Sequence, residues 1–201
     1  MIKILKKIIQ FKTLIFLSSF LVFASCDKKA EGNKKNINGK VVVKVFSSLT
    51  CPHCANFHKE VVVKLKEQYI DKKIVEFKHH GFPLDMAALN AEKILYCFED
   101  EEKQFNFLTN IYKKQKNWAV GSDINIINNS IKIIGKELGL DDNMMDKCLV
   151  DKKIEEQILD ERINAQKNYK IKSTPTIYIN EKQYKGDYDF KKFKKELDKQ
   201  F

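Results

Sequence analysis

The sequence predicts an α/β fold in which an all-helical insertion interrupts a small β-α-β…β-β-α unit. Three observations predict it. A β-branched run, Val41 to Phe46, leads through a Pro-initiated helical segment to a second short strand. After Gly81-Phe82-Pro83 the texture turns helical over about residues 84–170. The chain then returns to two short strands and a last helix, so the insertion begins and ends inside the fold and forms a subdomain of it.

Each element follows from its local chemistry. Val41-Val42-Val43-Lys44-Val45-Phe46 is strand-forming because branched and aromatic side chains suit a pleated surface. Residues 52–69 carry helical periodicity, and Pro52 stands at the first helical position, where its missing N–H costs nothing. Ile74 to Lys78 form the second strand. Asp85 caps a helix to about Cys97, Glu101 to Gln115 form the next, and Ser122 starts a third that closes at Leu138-Gly139. Asp141–Val150 and Asp151 to about Tyr169 complete the block. Pro175 precedes the strand Thr176–Asn180; a turn at Glu181-Lys182, the strand Gln183–Lys185 and a helix from about Asp189 to Lys199 follow.

The first 25 residues stand apart. Lys3, Lys6, Lys7 and Lys12 precede an apolar run from Thr13 to Ala24, and small residues follow. That pattern is an export signal, too short to span a bilayer comfortably. Phe23-Ala24-Ser25-Cys26 resembles a bacterial lipobox, which makes Cys26 the expected lipidation site, with plain cleavage as the alternative. Residues 26–39 are a flexible tether, and 40–201 form the folded domain. The formal net charge is +10, of which the leader lysines supply +4. Arg162 is the only arginine, and no aromatic–basic motif accompanies the lysines, so the charge reads as a solvated surface and no nucleic-acid partner is expected.

Chemistry centres on Cys51-Pro52-His53-Cys54. Covalent haem attachment needs His after the second cysteine, and that residue is Ala55. A structural zinc site needs a second compact ligand pair, and none follows Cys51, Cys54 and His58. Cys-x-x-Cys opening a helix after a strand is the redox arrangement. At that position Cys51 meets unpaired N–H groups and the positive end of the helix, which favour a thiolate. The helix end supplies at most about 2 kcal/mol, whereas the strongest oxidants of this type lower the pKa from about 8.5 to about 3.5. The remainder is expected from the amides of His53 and Cys54, and from the His53 ring if it turns inward. Cys54, one turn along, is the expected resolving thiol.

With FSSLTCPHCANFH, FPLDMAALNAEKILYC, the Trp118 region and STPTIYINEKQYKG, the chain resembles the DsbA-like thiol:disulfide oxidoreductases of bacterial envelopes over about residues 40–200, in particular their alphaproteobacterial, lipoprotein-containing branch. The resemblance implies a thioredoxin fold with an all-helical insertion. It also implies that Pro175 follows a cis bond beside Cys51, with the Thr174 backbone offered to an extended substrate. It implies reduced envelope proteins as substrates, a quinone-linked membrane partner of the DsbB type for reoxidation, a monomer, and no cofactor or metal. The place is the periplasm, at the inner membrane through the lipid on Cys26, beside Asp27.

Two departures temper this. The enterobacterial oxidase has a buried Glu six residues before its first cysteine, where this chain has Val45, so the sequence names no proton relay for Cys54. Thr174 replaces a Val and also occurs in isomerase-type relatives. An isomerase or reductase of the same fold, or a Cys/His metallochaperone, is the alternative function. Cys97 and Cys148 remain; in an oxidising compartment an even remainder suggests a structural disulfide, and the alphaproteobacterial relatives resemble this pattern. Free buried thiols or a regulatory pair are the other possibilities. His79 and His80 read as packed or surface residues before metal ligands, and Phe57, Trp118, Met144 and Met145 as core or groove lining.

Overall fold

The computed structural model describes residues 39–201; the leader, Cys26 and all but the last tether residue lie outside the described residues. A four-stranded sheet runs in the order β2-β1-β3-β4, from β1 (Val41–Ser47), β2 (Val75–Gly81), β3 (Thr176–Ile179) and β4 (Lys182–Tyr184). β1 and β2 are parallel, and the other two pairings are antiparallel. Strand β1 is central and almost wholly buried, which explains its near-continuous Val run in place of clean alternation.

The pleat assigns the two faces. Val41, Val43 and Val45 pack on Phe57, Val61, Val62 and Leu65 of the helix that follows β1, and on Phe193 and Leu197 of the last helix. Phe46 points the other way, onto Phe82, Ala165 and Ile171. A third cluster fills the helical block and reaches the active-site loop through Leu49, Cys51 and Cys54.

Helix α1 (residues 52–70) differs from the sequence expectation of a plain α-helix. It is α-helical at Pro52–Phe57 and Val63–Leu65, and π-helical at His58–Val62 and Lys66–Ile70. Such widened turns recur at functional sites. The block contains α2 (Met86–Leu95), α3 (Glu101–Lys113), the short α4 (Gln115–Trp118), α5 (Ile124–Glu137), α6 (Asp142–Val150) and α7 (Lys152–Tyr169); α8 (Phe190–Asp198) ends the chain. The expected helix 101–115 is thus split at Lys114, and β2 runs on to Gly81, past the expected end at Lys78. Asp85, Asp100, Asp123, Asp141, Asp151 and Asp189 each cap a helix with a side-chain oxygen. Gly139, at φ +93°, ends α5, its neighbour Leu140 donating back to the Gly135 carbonyl at 3.1 Å.

The block is fastened to itself by two unlike ties. Cys97, just past α2, is disulfide-bonded to Cys148 of α6, with their Cα atoms 6.1 Å apart. The buried Lys93 ammonium bonds the Leu149 carbonyl at 3.0 Å and pairs with Glu155. Trp118 and Met145 are core residues, Phe57 packs under the sheet, and Met144 is half exposed and so not part of the core.

Candidate active site

The N-terminus of α1 is built unlike those of the six aspartate-capped helices. Its cap residue is Cys51, in extended conformation, and no side chain accepts a hydrogen bond from the first turn. The end that aspartates close elsewhere is here left for a sulfur, which gains from the same N–H groups only as an anion.

Both thiols are free and buried, Cys51 8 % exposed and Cys54 2 %. The Cys51 pKa is lowered from 9.0 to about 5. Hydrogen bonding from the Cys54 thiol is the largest cause; burial works against it, and the Thr174 hydroxyl and the backbone N–H groups of Cys54 and His53 add to it. The Cys54 thiol is pushed far up, by burial first and then by its neighbour Cys51, against a smaller opposing pull from the Ser48 N–H. Two cysteines three residues apart therefore stand in opposite protonation states at neutral pH. Pro52 and His53 are exposed, and the His53 ring makes no hydrogen bond among the described residues; its backbone amide acts on Cys51, so the ring does not turn inward.

Thr174 closes the site from the β3 side. The Thr174–Pro175 peptide is cis, and the Thr174 carbonyl lies 3.4 Å from Cys51 Sγ. Thr174 Oγ1 is buried without a conventional hydrogen-bond partner, yet its dipole favours the anion at both sulfurs.

The insertion holds the loop in place. Gln115 donates from Nε2 to the Leu49 carbonyl at 2.7 Å and the Cys51 carbonyl at 3.1 Å. Thr50 donates to the Asp85 carboxylate at 2.7 Å, bringing the exposed apolar Leu84 and Met86 next to the loop. Sequence reasoning missed Gln115; it reads as the end of a helix, and only the break at Lys114 turns it inward.

A family model described as thioredoxin matches residues 32–199. The chain belongs to the thioredoxin family. Among solved structures of this fold it is similar to Wolbachia pipientis alpha-DsbA1, 28 % identical, with a TM-score of 0.73 over 80 % of this chain and 85 % of that one. It is also similar to disulfide bond formation protein D of Bacillus subtilis, 28 % identical over 169 residues, 80 % of this chain and 72 % of the relative. A Rickettsia bellii protein provisionally named as a protein-disulfide oxidoreductase is 30 % identical over 149 residues, 74 % of this chain and 55 % of that protein. The chain spans about half the length of the Rickettsia bellii and Rickettsia typhi relatives that it matches.

Behind the thioredoxin-family cysteines lies a buried polar set that the sequence did not signal as one. His79 Nε2 bonds both oxygens of Glu92, at 2.9 and 3.1 Å, and its Nδ1 lies 3.2 Å from Ser47 Oγ. Tyr112 donates to that same Ser47 oxygen at 3.1 Å. His58, one turn after Cys54, packs its ring on Tyr112 at 5.1 Å and is held neutral, its pKa lowered to about 3 by burial and then by His79. One signal existed. Glu92 stands three or four residues from Ala88, Leu89 and Leu95, on the apolar face of α2. Among the described residues, no three His, Cys, Asp or Glu side chains converge as a metal site.

Proposed function

We propose that the chain is an exported thiol:disulfide oxidoreductase that passes a Cys51–Cys54 disulfide to reduced proteins of the bacterial envelope. The observation that carries this reading is the opposed state of the two sulfurs. A substrate thiolate attacks Cys51 Sγ, the Cys51–Cys54 bond breaks, and Cys54 leaves with the electron pair and takes up a proton. The second substrate thiolate then attacks the substrate sulfur of the mixed disulfide, and Cys51 departs as a thiolate. A low pKa makes it a good leaving group and stabilises the reduced protein, so the disulfide is strongly oxidising. When a mixed disulfide stalls, Cys54 attacks and clears it.

Substrate recognition is assigned to the backbone. Thr174, next to Pro175, offers its main chain to an extended segment, which admits many sequences. The exposed Leu84 and Met86 supply apolar contact beside it. A lipid on Cys26 would keep the monomer at the inner membrane, near a quinone-linked, DsbB-type protein that reoxidises it. No cofactor takes part in the exchange.

Thr174 also favours a second reading, an isomerase or reductase of the same fold. Equilibration of the intact protein with glutathione separates the two. A potential near about −120 mV supports the oxidant, whereas one near about −270 mV, that of thioredoxin, defeats it.

A further inference from the structure

We infer that Tyr112, Ser47, His79 and Glu92 form a proton relay that serves Cys54 from the groove along the free edge of β2. The inference rests on the exchange reaction proposed above. It starts from a requirement of that reaction: when the disulfide opens, a negative charge appears on a sulfur only 2 % exposed, and solvent does not reach it freely.

The four groups form one hydrogen-bonded line. Tyr112 and Cys54 belong to the same buried cluster of the helical block, and Cys54 lies close enough for its charge to act on the Tyr112 hydroxyl. Tyr112 donates to Ser47, Ser47 lies within reach of His79 Nδ1, and His79 Nε2 faces the Glu92 carboxylate. Glu92 is fully buried, and His79 is its hydrogen-bonding partner. A buried carboxylate beside a single histidine is costly as a mere tie between α2 and β2, since apolar residues of the same size serve that purpose at least as well. The fold nevertheless makes room for it. A Cβ on Gly81 would come within 3.0 Å of the Glu92 carboxyl carbon and 3.1 Å of one of its oxygens. His79 itself is 11 % exposed and lines a groove of about 1030 Å³ at the β2 edge, so it alone of the pair meets solvent.

The direction of the bonds fits the reduced state. For a proton to reach the Cys54 thiolate, Tyr112 gives up its hydroxyl proton, Ser47 reprotonates Tyr112, and the His79 imidazolium reprotonates Ser47. What remains is Tyr112 donating to Ser47 and Ser47 donating to a neutral His79 Nδ1. The bond from Tyr112 to Ser47 runs in this sense in the dithiol structure. The thiolate electron pair takes up one proton, and His79, its charge stabilised meanwhile by Glu92, recovers one from the groove. His58 on α1 and His80 on β2 are held neutral by burial, with pKa values of about 3 and about 4; Tyr112 on α3 and Tyr96 on α2 are pushed up, again mainly by burial. Glu161 on α7 bonds the Tyr96 hydroxyl on the groove side.

The test is stopped-flow reduction of the Cys51–Cys54 disulfide by dithiothreitol across pH 5–8.5, in the intact protein and in E92Q, H79Q and S47A. General acid–base catalysis contributes on the order of 10²–10⁴-fold, so each variant should slow the step by at least about tenfold. The pH profile of H79Q should differ in shape from that of the wild type, and the Cys51 thiolate absorbance titration should stay unchanged in all three. The wild-type step should show a solvent deuterium isotope effect, a readout that needs no variant to fold. Unchanged rates and profile in a folded E92Q or S47A, or no isotope effect in the wild type, overturn the relay. Failure of the wild-type disulfide to exchange with dithiothreitol at all would instead defeat the oxidoreductase reading.

Discussion

The Cys51 sulfur lies 3.4 Å from the Thr174 carbonyl oxygen, and the Thr174 hydroxyl beside it is buried with no conventional partner of its own. A buried hydroxyl left unmatched in the dithiol form is matched when Cys51 ionises, because the sulfur anion then accepts from it. The residue thus favours one charge state of the site over the other.

Replacing Thr174 by Val keeps the shape and removes that donor. T174V should raise the Cys51 pKa from about 5 by roughly one unit or less, a net hydrogen bond being worth about 0.5–1.5 kcal/mol. The reduced form loses the same amount, so the potential should fall by at most about 30 mV. Thiolate absorbance titration and glutathione equilibration measure the two independently. A lowered Cys51 pKa would show that the hydroxyl works against the anion.

The same sulfur makes stability depend on pH in one redox state only. In the folded dithiol form the Cys51 pKa is depressed from 9.0 to about 5, so the native state is the weaker proton binder between those values. Its contribution is complete above about pH 9 and is lost as pH falls to about 5. Cys54, pushed up, titrates against the fold only above the ordinary thiol range. The disulfide form has neither thiol. Urea unfolding of both forms should therefore show the reduced protein gaining on the oxidised one as pH rises, by at most about 1.4 kcal/mol per pH unit. A flat difference would mean that Cys51 ionises alike in both states.

How much of this was legible in the sequence depended on the range of the interaction. The α/β order with its helical insertion could be read because it rests on local signals: a Val run, Pro52 at a helix start, capping residues such as Asp85, and Gly139 at a stop. The cysteine pair could be placed at a helix N-terminus for the same reason. The polar set behind it could not. Ser47, His79, Glu92 and Tyr112 come from four elements, and only the parallel register of β1 with β2 puts Val45 beside His79 and Ser47 beside Gly81 on the α1 face. The π-helical turns of α1 were invisible too, since nothing in the local pattern distinguishes them from α-helix.

Gln115 shows how the insertion controls a loop it does not belong to. Its amide satisfies two buried carbonyls, those of Leu49 and Cys51. Gln115→Ala strands both, at about 1–3 kcal/mol for each group left unpaired and less where water enters. We expect destabilisation of about 2–3 kcal/mol in urea unfolding, with faster amide exchange confined to residues 49–54. Uniformly faster exchange across the domain would show that Gln115 supports the whole core and not this loop.

The Cys97–Cys148 bridge acts on the insertion in a different currency, the freedom of the unfolded chain. It spans 51 positions of sequence, and closing a loop of that size removes entropy worth about 4 kcal/mol from the unfolded state. The Lys93 tie crosses the same region by contacts that survive reduction. The double replacement Cys97→Ala, Cys148→Ala should therefore lower stability by about 3–4 kcal/mol while leaving the native block assembled, with Trp118 still buried by its fluorescence. Because the bridge lies outside the Cys51 loop, the Cys51 pKa should be unchanged in the double variant. A shifted Cys51 titration would instead reveal that the bridge is coupled to the active-site cysteines, through the helices α2 and α6 that it joins.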